Sequence, residues 1–455
     1  MPSLFNFFTS PIRTLFILIL AWMASTAAFA GKSYSYFSMG DPSAVTTVTT
    51  PAPNTQSVVL VGGGYDVAEA FRWMIKRSGV LPAANCSLSG CTPTTGGRFL
   101  ILRATGTDAY NPYILSRLGT PDATGPYENV GGLDMGLTSV ETLIVPSVTA
   151  ANDPFVESRI KAAHAIWIAG GNQADYVNFW QNTKLSAALN AAINLGKPIG
   201  GTSAGTAILG QYAFAALNGT VTSNQALSNP YNKYMTFDPT LPTTTTPTGL
   251  LTVAPLANTI TDDHLDSRDR MGRMVAFLSR ITKQTCSGGA AEVAKSRAIG
   301  LDEETALVIT YSAQATPVAT AQLLSNPVSS KTINVPNPNS AYMLEFSPSS
   351  NLTPYCQSAK PLQITGTPSA FTMVRTTAND VGATTTACNT TSQFLNECTS
   401  VYPRNVSYMS ANISFNLSNW TSLCTNSGVT LNGQPACNTI TNMYPSNGYL
   451  IGTVY

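Results

Sequence analysis

The sequence has few charged residues and almost no histidine. Charged side chains make up 10% of the 455 residues, well below the usual quarter, and only two residues are histidine. The 24 lysines and arginines nearly balance the 23 aspartates and glutamates. Binding to a nucleic acid or to an anionic membrane favours a protein with a clear excess of positive charge, so neither partner is expected. The apolar fraction of 44% allows a sizeable core, in one large domain with an appendage or in two domains.

The first 30 residues have the features of a secretory signal peptide. Arg13 supplies the positive charge, an apolar run extends from Leu15 to Met23, and Ala28-Phe29-Ala30 offers a small-x-small cleavage site. The apolar run is short for a membrane span, although an uncleaved N-terminal anchor is the alternative. Cleavage removes one basic residue and no acid, which leaves no net charge. We therefore predict a secreted protein, extracellular or periplasmic, that has no membrane association once the signal is cleaved.

The cysteines indicate disulfide bonds rather than a metal site. All eight follow the signal segment, and an exported chain enters an oxidising compartment. Local spacing favours the pairs Cys86–Cys91, Cys388–Cys398 and Cys424–Cys437, which leaves Cys286 for Cys356. Metal binding is the alternative, but there is no Cys-x-x-Cys and no histidine near any cysteine. We predict no metal and no cofactor.

Short apolar runs alternate with helical segments between residues 56 and 200. Buried strands are predicted at 58–61, 99–102, 143–145, 165–169 and 198–200, and helices at 67–77, 153–163 and 186–195. This alternation predicts an α/β fold with a mostly parallel sheet and helices on both faces. Binding sites in such sheets form at the carboxyl ends of strands, where the glycine-rich segments 62–64, 170–171 and 200–205 fall.

The remaining segments have weaker patterns. Residues 31–55 are expected to form an extended arm, and the Thr-, Pro- and Asn-rich residues 211–257 an inserted surface loop. A strand at 258–261, a helix at 266–280 and a hairpin of 298–301 with 306–309 are expected next. We divide the chain into a signal peptide (1–30), a catalytic domain (31–375, core 55–315) and a β-rich, disulfide-containing extension (376–455).

Ser203 is the candidate nucleophile. It lies in Gly201-Thr202-Ser203-Ala204-Gly205, between a predicted strand and a predicted helix, which is a nucleophile-elbow pattern. The glycines permit a tight turn that exposes the hydroxyl and aims the N–H of Ala204 at the carbonyl oxygen under attack. The alternative is an ordinary glycine-rich turn between a strand and a helix.

A serine nucleophile needs a base, and the chain offers two histidines. His164 lies among apolar residues at a helix–strand junction, where a structural role is favoured. His264 follows a strand and is the better candidate for the base. The acid that would orient the base is left open by the spacing. The candidates are Asp262, Asp263, Asp266, Asp302, Glu303 and Glu304.

Three arginines follow His264. Arg268, Arg270 and Arg273 could line a site that binds substrate carboxylates. They could equally belong to an exposed helix on which Asp266 pairs with Arg270 and Asp269 with Arg273, at i, i+4 spacing. On such a helix His264 and Arg268 would share a face.

The ordered set of motifs resembles one family. The set consists of Gly62-Gly63-Gly64, Gly170-Gly171-Asn172-Gln173, Gly200 to Gly205, Asp262-Asp263-His264 with the three arginines, and Gly300-Leu301-Asp302-Glu303. It is similar to the cyanophycinases, within the serine peptidase family that includes aspartyl dipeptidase, over roughly residues 55–315. The resemblance implies a fold related to class I glutamine amidotransferases and assembly as a dimer. It also implies hydrolysis of cyanophycin, a polyaspartate that carries arginine on each β-carboxyl, to β-Asp-Arg dipeptides.

The resemblance also implies roles for individual residues. Ser203 matches the nucleophile, His264 the base and Glu303 the acid. The N–H groups of Gly171 and Ala204 would form the oxyanion hole. The positions expected to bind substrate are Gln173, Asp262, Asp263, Arg268, Arg270 and Arg273. Asp263 departs from the family, which usually has glutamine there. Its carboxylate could strengthen a pocket for guanidinium groups or shift the pKa of His264.

Two further functions fit the same residues. One is a related serine peptidase that acts on short aspartyl peptides, which would share the catalytic residues and have a narrower cleft. The other is a secreted binding protein on an inactivated hydrolase scaffold, which predicts loss of the nucleophile or the base. Both of those residues are present.

Overall fold

A computed structural model describes most of the predicted catalytic domain. The described residues are 32–44, 55–80, 97–123, 127–241, 249–282 without 266 and 269, 296–313, 318–326 and 340–345, with short strands beyond. The predicted signal segment and all eight cysteines lie outside these ranges, and so do the cleavage and disulfide predictions. Within them, no helix has the length and apolar character needed to cross a bilayer.

A large sheet runs through the centre of the molecule. Its strands are β1 (Ser35–Gly40), β2 (Thr55–Val61), β3 (Gly97–Arg103), β4 (Leu137–Ile144), β5 (Ala165–Ile168), β6 (Ile199–Thr202), β11 (Thr305–Ser312) and β12 (Val318–Ser325). They are arranged in the order β1-β4-β3-β5-β6-β2-β11-β12. The five strands from β4 to β2 are parallel, and antiparallel pairs occur at both edges. The prediction of an α/β fold is confirmed.

Helices pack on both faces of this sheet. The described helices are α1 (Ala68–Arg77), α2 (Tyr110–Ile114), α3 (Val148–Ala151), α4 (Pro154–Ala162), α5 (Gln173–Trp180), α6 (Lys184–Asn194), α7 (Ala204–Ala207), α8 (Ser223–Ser228) and α9 (Met271–Thr282). The last two, α8 and α9, belong instead to a separate core cluster. Val58 and Leu60 share one core cluster with residues of α4 and α6, whereas Val59 and Val61 share another with α1. Because β2 is buried on both sides, its sequence is a continuous apolar run rather than an alternating one.

A second sheet lies beside the first and begins with β9 (Thr259–Asp262). The other strands outside the large sheet are β7 (Ala213–Phe214), β8 (Phe237–Asp238), β10 (Arg297–Leu301), β13 (Ser340–Glu345), β14 (Thr353–Tyr355), β15 (Gln363–Thr365), β16 (Ala370–Thr377), β17 (Asn412–Asn416), β18 (Thr430–Leu431) and β19 (Gln434–Pro435). The second sheet has the order β17-β16-β13-β10-β9, in which β9 and β10 are parallel.

The predicted hairpin of 298–301 with 306–309 is wrong. Strand β10 pairs with β9 and β13 in the second sheet, whereas β11 pairs with β2 and β12 in the first. The turn between them, residues 302–304, therefore crosses from one sheet to the other. Two adjacent apolar runs do not specify each other as partners, because each can pair with a strand that is distant in sequence.

Residues 211–257 are not a surface loop over their described part. They contain β7, β8, α8 and a short 3-10 helix, Ala254–Leu256. Phe214 and Phe237 are buried, and the Phe214 ring stacks on Phe277 of α9 with their centroids 4.8 Å apart. Apart from short runs such as 212–217, the apolar residues lie among polar ones, so no sustained helical or strand period marked this segment in the sequence.

Candidate active site

Ser203 lies in a strained turn at the carboxyl end of β6. Its φ of 52° and ψ of −121° are unusual for a residue with a side chain, and such strain is typical of functional sites. The Ser203 N–H donates to the carbonyl of Val61 in the neighbouring strand at 3.1 Å. A Cβ on Gly205 would approach the carbonyl oxygen of Ile168 to 2.1 Å, so the helix after the serine requires glycine there. The turn is thus fixed to two strands of the large sheet.

His264 contacts the hydroxyl of Ser203. Its Nε2 lies 2.8 Å from Ser203 Oγ, and the ring is 5% exposed. His264 follows β9 with a φ of 48°, and its N–H donates to the carbonyl of Gly62 at 2.7 Å. A Cβ on Gly63 would come within 2.3 Å of His264 Cε1, so the ring packs directly on the glycine backbone. The loop after β2 therefore orients the imidazole against the serine.

Glu303 completes a hydrogen-bonded chain. Its Oε1 lies 2.5 Å from His264 Nδ1 and accepts a hydrogen bond from the hydroxyl of Ser267 at 2.6 Å. The next residue, Glu304, accepts from the Tyr127 hydroxyl at 2.7 Å, and its N–H donates to the carbonyl of Gly63. Of the acids that the spacing left open, Glu303 contacts Nδ1. Among the others, Asp266 lies outside the described residues, and Asp262 and Asp263 pair with arginines.

Asp262 and Arg273 form a buried bidentate ion pair. Arg273 Nε donates to Asp262 Oδ2 at 2.8 Å and its Nη2 to Oδ1 at 2.5 Å, and both residues are 1% exposed. The guanidinium also lies 5.1 Å from the ring centroid of Phe214 and 5.5 Å from that of Phe277. The planar fork of arginine matches a carboxylate in this way, and burial makes the geometry rigid.

Asp263 and Arg270 form a second pair beside the reacting groups. Arg270 Nη1 lies 2.6 Å from Asp263 Oδ1, and this same oxygen lies 3.6 Å from His264 Nε2. Burial and the charge of Arg273 lower the pKa of Arg270, while Asp263 and Asp262 act in the opposite direction. The alternative of one exposed helix that carries all three arginines is wrong, because Arg273 is buried and Arg270 precedes the helix. Helix α9 begins at Met271, so Arg268 and His264 precede it, and Arg268 is exposed.

The Gly170–Gly171 turn approaches the serine from β5. A Cβ on Gly170 would lie 3.4 Å from Ser203 Cβ. Ala204 is the first residue of α7, and Gln173 is the first residue of α5. The Gln173 side chain donates to the carbonyl of Phe214 at 3.4 Å, next to the ring on which Arg273 lies. The structure therefore gathers the predicted positions around one end of the large sheet.

His164 lies apart from this site. The N–H of Arg98 donates to His164 Nδ1 at 2.9 Å. Burial, followed by the charges of Lys197 and Arg98, lowers its pKa to about 4. The ring is thus a neutral acceptor between two strands, which agrees with the structural role favoured by its apolar neighbours.

Two contacts of the site are not predicted by the sequence. The packing of Gly63 on His264 fixes the ring, and Ser267 donates to the orienting carboxylate. The triplet of glycines at 62–64 is a visible motif, but nothing in it predicts a contact with His264, far along the chain. Ser267 carried no signal beyond its closeness in sequence to His264.

A serine hydroxyl, an imidazole and a carboxylate linked in a row by hydrogen bonds are the arrangement found in serine hydrolases. The model of peptidase family S51 matches residues 133–228, which include Ser203 and the Gly170–Gly171 turn. The chain is therefore similar to peptidase family S51 over this segment.

The curated relatives are cyanophycinases. One, from Synechococcus elongatus, is 28% identical over 178 residues, which cover 39% of this chain and 49% of that protein. Another, from Geminocystis herdmanii, is 25% identical over 207 residues, which cover 45% of this chain and 64% of that protein. The chain therefore spans about half to two thirds of the length of these relatives. A solved peptidase structure from an acI-B1 Actinobacterium is 16% identical, with a TM-score of 0.33, over 60% of this chain and 88% of that one.

Proposed function

We propose that this protein is a serine peptidase that hydrolyses cyanophycin to β-Asp-Arg dipeptides through an acyl-enzyme on Ser203. The observation that carries the proposal is the hydrogen-bonded chain from Ser203 Oγ to His264 Nε2 at 2.8 Å and from His264 Nδ1 to Glu303 Oε1 at 2.5 Å. The family match and the cyanophycinase relatives support the choice of substrate.

In the proposed acylation step, His264 Nε2 takes the proton of Ser203 as Oγ attacks the scissile carbonyl. Glu303 holds the imidazole in orientation and stabilises its protonated form. The N–H groups of Ala204 and Gly171 would donate to the oxygen that becomes negative. When the carbon–nitrogen bond breaks, His264 gives its proton to the leaving amine, which departs and leaves the acyl group on Ser203.

In the proposed deacylation step, a water molecule takes the place of the amine. His264 removes a proton from the water while its oxygen attacks the ester carbonyl. The Ser203–acyl bond then breaks, and Oγ recovers a proton from His264. The products are a free carboxylate and the regenerated serine, so no metal or cofactor enters the scheme.

We also propose that the protein is exported, that it forms a dimer and that it carries a disulfide-containing extension. An enzyme with a cleaved signal would meet insoluble polymer released by other cells, which suits a secreted form. The cysteine-containing residues 376–455 would then be stabilised by disulfides, and the fold would be related to class I glutamine amidotransferases, as the resemblance implies.

Clearing of a cyanophycin suspension, with product analysis, tests this function. The protein should clear the polymer and release β-Asp-Arg, whereas Ser203→Ala should reduce clearing by a factor of about 10³ or more. Equal clearing by Ser203→Ala would refute the assignment of the nucleophile. Hydrolysis of soluble aspartyl dipeptides without polymer clearing would favour the peptidase of short peptides. Absence of both activities, with no labelling by a serine-directed inhibitor, would favour the binding protein.

A further inference from the structure

The two aspartates that precede His264 are already held by arginines. Asp262 binds Arg273 through two hydrogen bonds, and Asp263 binds Arg270 through an Nη1–Oδ1 contact of 2.6 Å. A guanidinium group of the proposed substrate would have to displace one of these arginines in order to bind either aspartate. A cationic side chain of the substrate therefore needs another contact near His264.

Tyr65 offers such a contact. It comes two residues after Gly63, whose backbone packs on the His264 ring. A Cβ on the intervening residue, Gly64, would lie 3.1 Å from Glu303 Cβ. Consecutive Cα atoms are about 3.8 Å apart, so Tyr65 Cα lies within about 8 Å of Gly63 Cα. Tyr65 is nevertheless 46% exposed, whereas His264 is buried. The tyrosine ring thus lies at the surface beside the candidate catalytic residues.

A second tyrosine supports the Tyr65 ring. The rings of Tyr65 and Tyr127 meet edge to face, with their centroids 5.9 Å apart. The Tyr127 hydroxyl donates to Glu304 Oε2 at 2.7 Å, and Glu304 is buried. Because Tyr127 is anchored in this way, the Tyr65 ring is held in position before a ligand arrives. A contact that is ordered in advance costs less conformational entropy on binding.

The residues that follow the two tyrosines are both acidic, Asp66 and Glu128. Glu128 is exposed, and its Oε2 lies 3.6 Å from Arg72 Nη2. Arg72 also pairs with Glu69, so that one cation is shared by two carboxylates. This group of acids and its arginine therefore carry a net negative charge.

The carboxyl group of Asp66 is close to a like charge. Burial raises the pKa of Asp66 to about 7, and the charge of Asp122 acts in the same direction. A hydrogen bond from Tyr110 and the charge of Arg103 oppose this rise in pKa without cancelling it. A cation that stacked on Tyr65 would reduce the repulsion between the two carboxyl groups. The surface beside Tyr65 thus favours a positively charged ligand.

We propose that Tyr65 is a specificity-determining residue that stacks on a guanidinium side chain of the substrate next to the scissile bond. The guanidinium group suits this surface because it is a planar, weakly hydrated cation that stacks on aromatic rings, and the nearby carboxylates attract its charge. Each arginine of cyanophycin carries such a group. The proposal rests on the proposed function and deepens it, because it gives the arginine side chain a contact that the candidate catalytic residues do not supply.

Two soluble probes that differ in one side chain test the proposal. One is a trimer of β-Asp-Arg, and the other carries citrulline, a neutral urea of nearly the same shape, in place of each arginine. The wild-type protein should have the higher kcat/KM for the arginine probe. Tyr65→Ala should lower this preference about fivefold, chiefly by raising KM for the arginine probe. Tyr65→Phe, which retains an aromatic ring, should keep most of the preference.

The matched control is Phe37→Ala. Phe37 is 39% exposed and lies on β1, at one edge of the large sheet. Its substitution removes an aromatic ring of similar exposure and should leave the ratio of the two probes unchanged. A ratio in Tyr65→Ala equal to that of the wild type would overturn the proposal. A ratio in Tyr65→Phe as low as that in Tyr65→Ala would also overturn it, since stacking needs the ring and not the hydroxyl.

A binding measurement separates failure of this inference from failure of the proposed function. The Kd values of both probes would be measured with Ser203→Ala protein, with and without Tyr65→Ala. The preference for the arginine probe should fall about fivefold when the ring is removed, whether or not cyanophycin is cleared. If the wild type clears no polymer, the proposed function fails, and the ratio of Kd values still supports or overturns the role of Tyr65. If the wild type clears the polymer and the ratio does not change, only the role of Tyr65 fails.

Discussion

The surroundings of the two histidines differ in the sign of the nearby charges. His164 is flanked by Arg98 and Lys197 and accepts a backbone hydrogen bond, so its neutral form is favoured. His264 has Glu303 at Nδ1 and Asp263 3.6 Å from Nε2. Carboxylates stabilise the imidazolium that a general base must become. The charges around each ring, most of them brought from distant segments, therefore distinguish the structural histidine from the candidate base.

Substitution of each histidine by asparagine gives the largest contrast. His264→Asn should lower kcat on cyanophycin by a factor of about 10³ or more, because no group remains to take the Ser203 proton. His164→Asn should retain most of the activity, since the amide oxygen can accept from the Arg98 N–H. The measurement is the initial rate of release of β-Asp-Arg. A similar loss of activity in both variants would contradict the different roles assigned to the two histidines.

Loss of the charge at Glu303 should have a smaller effect. Glu303→Gln should lower kcat by about 10²-fold, because the amide no longer stabilises the imidazolium and can favour the wrong tautomer. The control is Glu304→Gln, which alters the neighbouring carboxylate that accepts from Tyr127. Steady-state kinetics of both variants provide the check. An equal effect in the two would argue against an orienting role specific to Glu303.

The pH dependence of stability should report on His164. Its pKa is lowered from 6.5 to about 4 in the folded protein. Between these values the unfolded chain binds a proton that the folded chain does not, so stability falls as the pH decreases through this window. Above the window neither state binds the proton, so His164 no longer makes the stability depend on pH. Denaturant unfolding at several pH values should show a shallower slope for His164→Asn, and identical slopes would contradict the assignment.

The contact from Ser267 should give the smallest effect. Ser267→Ala removes the donor to Glu303 Oε1 and should lower kcat only a few-fold, because the carboxylate retains its contact with His264. Ser267→Thr keeps a hydroxyl and is the matched control. The measurement is kcat on cyanophycin, and a loss as large as that of Glu303→Gln would mean that the hydroxyl fixes the carboxylate.

The sequence was most informative where one local rule determined the structure. The buried strands β2 and β3 were predicted because parallel strands that are covered on both faces are continuous apolar runs. Asp153 and Pro154 predicted the start of α4, and the Asp153 side chain accepts from the Phe155 N–H at 2.8 Å. Ser203 was indicated by the glycines of its turn, one of which, Gly205, is required by close packing against Ile168.

Pairing between distant segments could not be predicted from local rules. Six acids were equivalent by spacing as partners of His264, and Glu303 was indicated by resemblance only. Its contact depends on the turn that crosses between the two sheets. The i, i+4 rule offered Asp269 as the partner of Arg273, whereas the structure pairs Arg273 with Asp262 because α9 begins later than expected.

The crossing turn between β10 and β11 determines when the three residues of the candidate site can come together during folding. Ser203 follows a strand of the large sheet, His264 follows a strand of the second sheet, and Glu303 lies on the link between them. None of the three can meet the others until both sheets have formed and docked. In a newly made or refolding chain the serine and the histidine are therefore apart, and the proposed hydrolysis requires that the two sheets have docked.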